Sequence, residues 1–130
     1  MEEGEIMKKK FLRCPICGNL VEVINDSNVP IMCCGKPMEE LVANTTDGAT
    51  EKHVPVVEIN NELVTITVGE TLHPMTEEHY IMWIHVFTNL KEYHFNLNPS
   101  DNPQVKFSKD INEEIIEVNA YCNLHGLWVK

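Results

Sequence analysis

No run of apolar residues in this 130-residue chain approaches the roughly 20 that a helix needs to cross a bilayer. The start, Met1-Glu2-Glu3-Gly4-Glu5, is acidic and leads into Lys8-Lys9-Lys10 with no apolar segment behind it, so a secretory signal is not expected. The cytoplasm is the expected compartment. Positive charge is scarce: ten Lys and Arg stand against twenty Asp and Glu, for a formal net charge of −10. That balance argues against a nucleic-acid partner, which wants a basic patch. Lys8 to Lys10 is too short a run to change this and reads as a solvated edge. The same acidity repels small anions at long range, so an anionic substrate would need positive charge at its own site. Helical periodicity is weak throughout, and there is neither an internal repeat nor a low-complexity tract. At this length the chain has room for one ordinary domain and a small appendage.

Against these absences, five cysteines and six histidines stand out. Cys14-Pro15-Ile16-Cys17 is followed, after fifteen residues, by the adjacent pair Cys33-Cys34. Two cysteine pairs suit one tetrahedral metal, because each pair spans one edge of the tetrahedron. The vicinal pair must open its sulfur–metal–sulfur angle to do so. Two disulfides are the alternative, and a reducing compartment disfavours them. A segment of about forty residues buries too little surface to fold alone, so binding the metal and folding would be linked. The ribbon is expected over residues 1–39. Glu39 to Glu51, with Asn44-Thr45-Thr46-Asp47-Gly48, reads as a linker or extended connection.

Strand patterns fill the remainder, residues 40–130. Val54 to Ile59 and Leu63 to Val68 are rich in β-branched residues around the turn signal Asn60-Asn61, and Gly69 closes the second. Tyr80 to Phe87 is almost wholly apolar, as a strand buried on both faces should be. Tyr93, Phe95 and Leu97 alternate with Glu92, His94 and Asn96. In the last expected strand, Ile116, Val118, Ala120 and Cys122 share a face. The predicted fold is all-β: a small metal ribbon followed by an antiparallel β-sandwich.

The second constellation lies on loops. His53 precedes a strand, His73 and His79 frame the segment feeding the long apolar strand, and Cys122-Asn123-Leu124-His125-Gly126 follows the last one. One thiolate with four imidazoles is a poor structural zinc cage, since zinc is satisfied by four ligands. Five such ligands fit a redox-active iron with one position open. His85 in the apolar strand reads as a hydrogen-bonded packing residue and His94 as solvent-facing. Trp83 and Trp128 read as packing.

With these residues assembled, the chain resembles desulfoferrodoxin, the two-iron form of superoxide reductase, over nearly its whole length. The resemblance implies a small rubredoxin-like metal ribbon followed by an immunoglobulin-like antiparallel β-sandwich, with one iron held by Cys14, Cys17, Cys33 and Cys34. A second would be held by His53, His73, His79, His125 and the axial thiolate of Cys122. It implies reduction of superoxide by one electron and two protons to hydrogen peroxide, with no oxygen evolved. Lys52, beside a ligand, is implied in attracting the anion and supplying protons through water; Glu51 is implied as a ligand to ferric iron. From spacing alone, each reads as an ordinary exposed charge. Rubredoxin as electron donor and a homodimer are further implications. Two other functions stay open: a rubredoxin-like electron carrier and a zinc-binding interaction module.

Overall fold

The computed structural model describes residues 9–44 and 50–130, with the side chains of Thr50 and Glu51 outside that description. The acidic start, Lys8 and residues 45–49 of the expected linker also lie outside it. The N-terminal ribbon has a three-stranded antiparallel sheet of β1 (Lys10–Arg13), β2 (Leu20–Val23) and β5 (Glu39–Glu40), in the order β2-β1-β5, and a hairpin of β3 (Met32–Cys33) and β4 (Lys36–Pro37). A single helical turn, α1 (Thr50–His53), leads into the second unit.

That unit is a sandwich of seven antiparallel strands. One sheet is β10 (Gln104–Ser108), β7 (Leu63–Val68) and β6 (Pro55–Asn60). The other is β12 (Gly126–Val129), β11 (Ile115–Cys122), β8 (Ile81–Thr88) and β9 (Glu92–Asn96). The alternating apolar residues of the two inner faces meet in one core. Val64, Ile66 and Val68 of β7 and Val105 of β10 pack against Ile81, Ile84 and Val86 of β8 and Val118, Ala120 and Cys122 of β11. This is the predicted all-β architecture.

Two bulges set which side chains enter that core. Tyr121 pairs with Trp83 but Cys122 pairs with Ile81, so Met82 is an extra residue in β8. The slip turns Ile81 inward beside Cys122 while Trp83 and Tyr121 point to the other face. At the far end Ile115 pairs with Thr88 and Glu117 with Phe87, which leaves Ile116 unpaired. Ile116 is therefore 44% exposed, and Ile115 packs on the core in its place, contrary to the simple alternation expected for this strand.

The outer face of the four-stranded sheet is covered by the ribbon. Phe11 of β1 meets Trp83 at 5.1 Å between ring centroids, and Trp83 stacks on Tyr121 at 5.5 Å and 8°. Ala43, Leu127 and Val129 complete this second core. Glu39–Asn44 is not slack: β5 pairs with β1, Leu41 N–H donates to Phe11 C=O, and the Asn44 carboxamide pairs with both backbone groups of Val129. An ionic tie flanks the seam, where Lys9 lies 2.8 Å from Glu92 and 3.4 Å from Glu22. Part-exposed ion pairs contribute about 1 kcal/mol at most. Burying an aromatic contributes about 2–3 kcal/mol, so the apolar seam carries the docking.

Candidate metal centres

The ribbon brings Cys14, Cys17, Cys33 and Cys34 together with all four sulfurs within 4.8 Å of one another. All five cysteines of the chain are free thiols, with no disulfide. The first pair sits in a tight knuckle. Gly18 N–H donates to Cys14 C=O at 3.0 Å with Gly18 at φ 81°, and this curls the N–H groups of Ile16 and Cys17 onto the Cys14 sulfur, each at 3.4 Å. The Cys17 and Ile16 N–H groups stabilise the thiolate and lower Cys14 to about 6. The neighbouring sulfurs of Cys17 and Cys14 push Cys34 up to about 12. A cation among the four would remove that repulsion.

The vicinal pair is accommodated by a two-residue hairpin loop. Cys33 pairs with Lys36, and the intervening Cys34 and Gly35 both have positive φ, 53° and 74°. Two consecutive left-handed residues define the turn usually written Asn-Gly. Cys34 accepts a left-handed conformation that costs roughly 1–2 kcal/mol in a non-glycine residue. In return its sulfur turns to the same side as that of Cys33. The Cys-Gly dipeptide ahead of Lys36 was the available sequence signal for this turn.

At one end of the sandwich the second set converges. His53 ends α1; His73 and His79 lie on the β7–β8 connection; Cys122 and His125 belong to the β11–β12 hairpin. That hairpin corrects the expectation that Cys122 follows the last strand. Cys122 pairs with Gly126 across the three-residue loop Asn123–His125, with Gly126 at φ 80°, so thiol and imidazole face one point.

The four imidazoles form a square. Neighbouring rings, His53–His73, His73–His79, His79–His125 and His125–His53, lie 4.6, 4.6, 5.0 and 4.9 Å apart at angles of 74–85°, and the diagonal His53–His79 is 6.4 Å. His53 Nε2 is 3.1 Å from both His73 Nε2 and His125 Nδ1. Two nitrogens about 2.1 Å from one metal at a right angle would lie about 3 Å apart, so the spacing fits an ion between them. Cys122 Sγ is 3.8 Å from His125 Nδ1, and all five donor atoms lie within 4.8 Å of one another. A fifth atom that near to every corner sits over the square, not beside it.

Several contacts prepare these groups for a cation. His79 Nε2 is buried with no hydrogen-bond partner, a lone pair aimed into the site. His73 Nδ1 lies 2.7 Å from Pro74 C=O, which fixes the proton there and leaves Nε2 as the donor atom. Burial lowers His73 to about 4 and lowers His79 as well, with the charges of His125 and Lys52 adding to the second shift. Both rings are thus held neutral, as ligation requires. Cys122 is fully buried, and desolvation raises its thiol against the pull of the Leu124 and His125 N–H groups. Trp128 stacks on His53 at 4.7 Å and 23° while its indole N–H donates to His125 C=O.

Lys52 is exposed on α1 directly before His53. Gly69, at φ 88°, lets the end of β7 approach it: a Cβ there would lie 2.6 Å from Lys52 O and 2.4 Å from Thr71 O. Glu51 is on the same turn, but its side chain lies outside the described residues. His85 is the packing residue expected, 1% exposed with Nε2 2.7 Å from Glu92, and His94 is exposed. Glu22, His85 and Glu92 form a third grouping of possible ligands. Lys9 already bridges its two carboxylates, so it is an ionic tie.

Fold and donor sets together define a non-haem metalloprotein with a four-sulfur centre in a ribbon and a four-nitrogen, one-sulfur centre on a β-sandwich. The chain matches the family models described as desulfoferrodoxin over residues 45–130 and desulfoferrodoxin N-terminal domain over residues 6–41, and it belongs to the desulfoferrodoxin family. It is 46% identical over 119 residues to a desulfoferrodoxin homolog of Methanothermobacter thermautotrophicus, covering 92% of this chain and 95% of that one. It is 45% identical over 121 residues to the desulfoferrodoxin of Syntrophotalea carbinolica, covering 93% and 94%. The crystal structure of the superoxide reductase from Treponema pallidum superposes with a TM-score of 0.79 at 30% identity, covering 95% of this chain and 99% of that one.

Proposed function

We propose that this chain is a superoxide reductase, reducing superoxide to hydrogen peroxide at the histidine–cysteine centre as a defence against oxidative stress. The observation that carries the reading is the square of four imidazoles, with a buried thiol over it and an unpartnered nitrogen aimed inward. Five donors leave one coordination position for a small substrate, where a zinc cage of four would leave none. His53, His73, His79, His125 and Cys122 would hold an iron able to supply the one electron that, with two protons, converts superoxide to hydrogen peroxide with no dioxygen. Cys14, Cys17, Cys33 and Cys34 would hold a second iron, which four thiolates would close to everything but electron exchange.

The protein's own groups do the rest. Neutral imidazoles would leave the positive charge of a bound ion uncancelled, and Cys122 as a thiolate would supply it with electron density. Lys52 holds a positive charge beside the site in a chain of net charge −10 and draws the anion to it. It also passes protons inward through water. Glu51, one residue earlier, is assigned to the ferric state, which a hard carboxylate prefers.

We divide the chain into a desulforedoxin-like unit, residues 1–39, and a catalytic sandwich, residues 40–130, with Glu40 at the junction still pairing with β1 of the first. The ribbon exposes the apolar side chains of Ile24, Val29 and Met32, which supports a homodimer. Rubredoxin is the proposed electron donor. Five free thiols suit the cytoplasm. Among the described residues no helix is long and apolar enough to cross a membrane.

The deciding measurement is a superoxide pulse delivered to the reduced protein while peroxide and oxygen are followed together. One peroxide per superoxide without oxygen is expected. Superoxide decay no faster than in buffer would leave the chain an electron carrier.

A further inference from the structure

We propose that Asn123 is a positioning residue for the histidine–cysteine centre, its carboxamide bracketing His79 and tying the loop that carries that ring to the hairpin of Cys122 and His125. This rests on the reading that His79 and Cys122 ligate one metal. Asn123 Oδ1 accepts the N–H of Tyr80 at 3.0 Å, and Asn123 Nδ2 donates to the carbonyl of Glu78 at 3.0 Å. These are the two residues on either side of His79. The backbone N–H of Asn123 adds a third link, to Tyr80 C=O at 3.2 Å. One side chain therefore fixes the peptide units before and after a ligand that lies 44 residues away in sequence.

His79 needs this more than its partners do. His53 and His73 are 2% and 3% exposed and are oriented by packing, whereas His79 is only half-buried and follows the exposed residues Thr76, Glu77 and Glu78. Its own loop supplies a small turn, in which Thr76 N–H donates to His79 C=O and His79 N–H to Thr76 C=O. That turn shapes the loop but does not anchor it to Cys122. The Asn123 carboxamide does, and it needs both of its ends. Tyr80 offers only a donor there and Glu78 only an acceptor, so the amide's orientation is fixed by its partners. Aspartate keeps the bond to Tyr80 and loses the one to Glu78; alanine loses both.

The test compares the full chain, loaded with iron at both centres, with Asn123→Ala and Asn123→Asp. Iron release to a chelator is read at the sulfur-to-iron absorption of each centre. Outer groups that orient metal ligands commonly change affinity by about 10–100-fold. The expected result is release from the histidine–cysteine centre about tenfold faster or more in Asn123→Ala, intermediate in Asn123→Asp, and a shifted absorption band. Release from the four-cysteine centre should be unchanged. Wild-type release and an unshifted band in Asn123→Ala would overturn the proposal. So would equal acceleration at both centres, which would report general loosening of the fold. Release is read without superoxide, so a failed reductase assay of the wild-type protein would count against the proposed function and leave this comparison intact.

Discussion

Cys122 is buried where a thiolate is disfavoured, and only a nearby cation reverses that balance. Replacing its sulfur by oxygen keeps the shape and removes the soft donor. Cys122→Ser is expected to abolish the sulfur-to-iron band of this centre and its reactivity while leaving the colour of the four-cysteine centre, both visible in one absorption spectrum. An unchanged spectrum would remove Cys122 from the ligand set. The role proposed for Lys52 is a longer-range one. Its exposure makes its charge sensitive to salt. Lys52→Ala should slow superoxide capture about tenfold and flatten its dependence on ionic strength, measured by pulse radiolysis across a salt series. At this scale the sequence was most readable, because thiols and imidazoles are chemically distinctive whatever the fold. The nine ligand candidates could be picked out before any strand was placed, and they gather in two groups. Asn123 carries no such signal within the loop between Cys122 and His125, since a carboxamide looks alike whether it faces water or holds a loop.

Strands were legible where burial imposes a regular pattern, as in β7 and β8, and less so where register departs from it. The unpaired Ile116 and the extra residue Met82 are long-range properties, decided by the strand across the sheet. The Cys34-Gly35 turn was hidden because its first residue is recognised by its sulfur and not by its backbone angle. Two elements invite direct tests. Gly69 closes β7 where added carbon would collide with the backbone at Lys52 and Thr71. Gly69→Ala is expected to cost about 1–3 kcal/mol in unfolding free energy. It should also loosen iron at the histidine–cysteine centre, read by denaturant titration and chelator challenge. At the other end of the sandwich, buried Glu113 receives hydrogen bonds from the Thr88 hydroxyl at 2.6 Å, the Asp110 N–H and the Tyr93 hydroxyl. Burial alone would raise its carboxyl, but these donors overcome it and hold the group below its ordinary range. A lowered folded value means the stabilisation is complete above the unfolded pKa and is lost as pH falls through the folded one. Thermal stability should therefore decline on the acid side, below about pH 4.3, the unperturbed value for glutamate. In Glu113→Gln that decline should be shallower, with a lower midpoint at neutral pH.

The whole molecule joins two units through a shared apolar seam, in which Phe11, Trp83 and Tyr121 bridge ribbon and sheet. The pattern of Tyr80 to Phe87, apolar on both faces, announced that something would cover the outer side of β8, yet nothing in the sequence said that the ribbon would. Cys17→Ser is expected to lose the ribbon's iron and keep superoxide reduction, checked by iron per chain and the superoxide pulse. Loss of both activities would mean that the two centres are not independent. The same variant bears on solubility. With its four sulfurs no longer drawn together, a ribbon too small to hold itself would lift from Trp83 and Tyr121 and bare a greasy patch on an otherwise intact sandwich. Such a molecule could still turn over its substrate in fresh solution and then precipitate on standing. The iron farther from the chemistry would in that case govern shelf life more than speed.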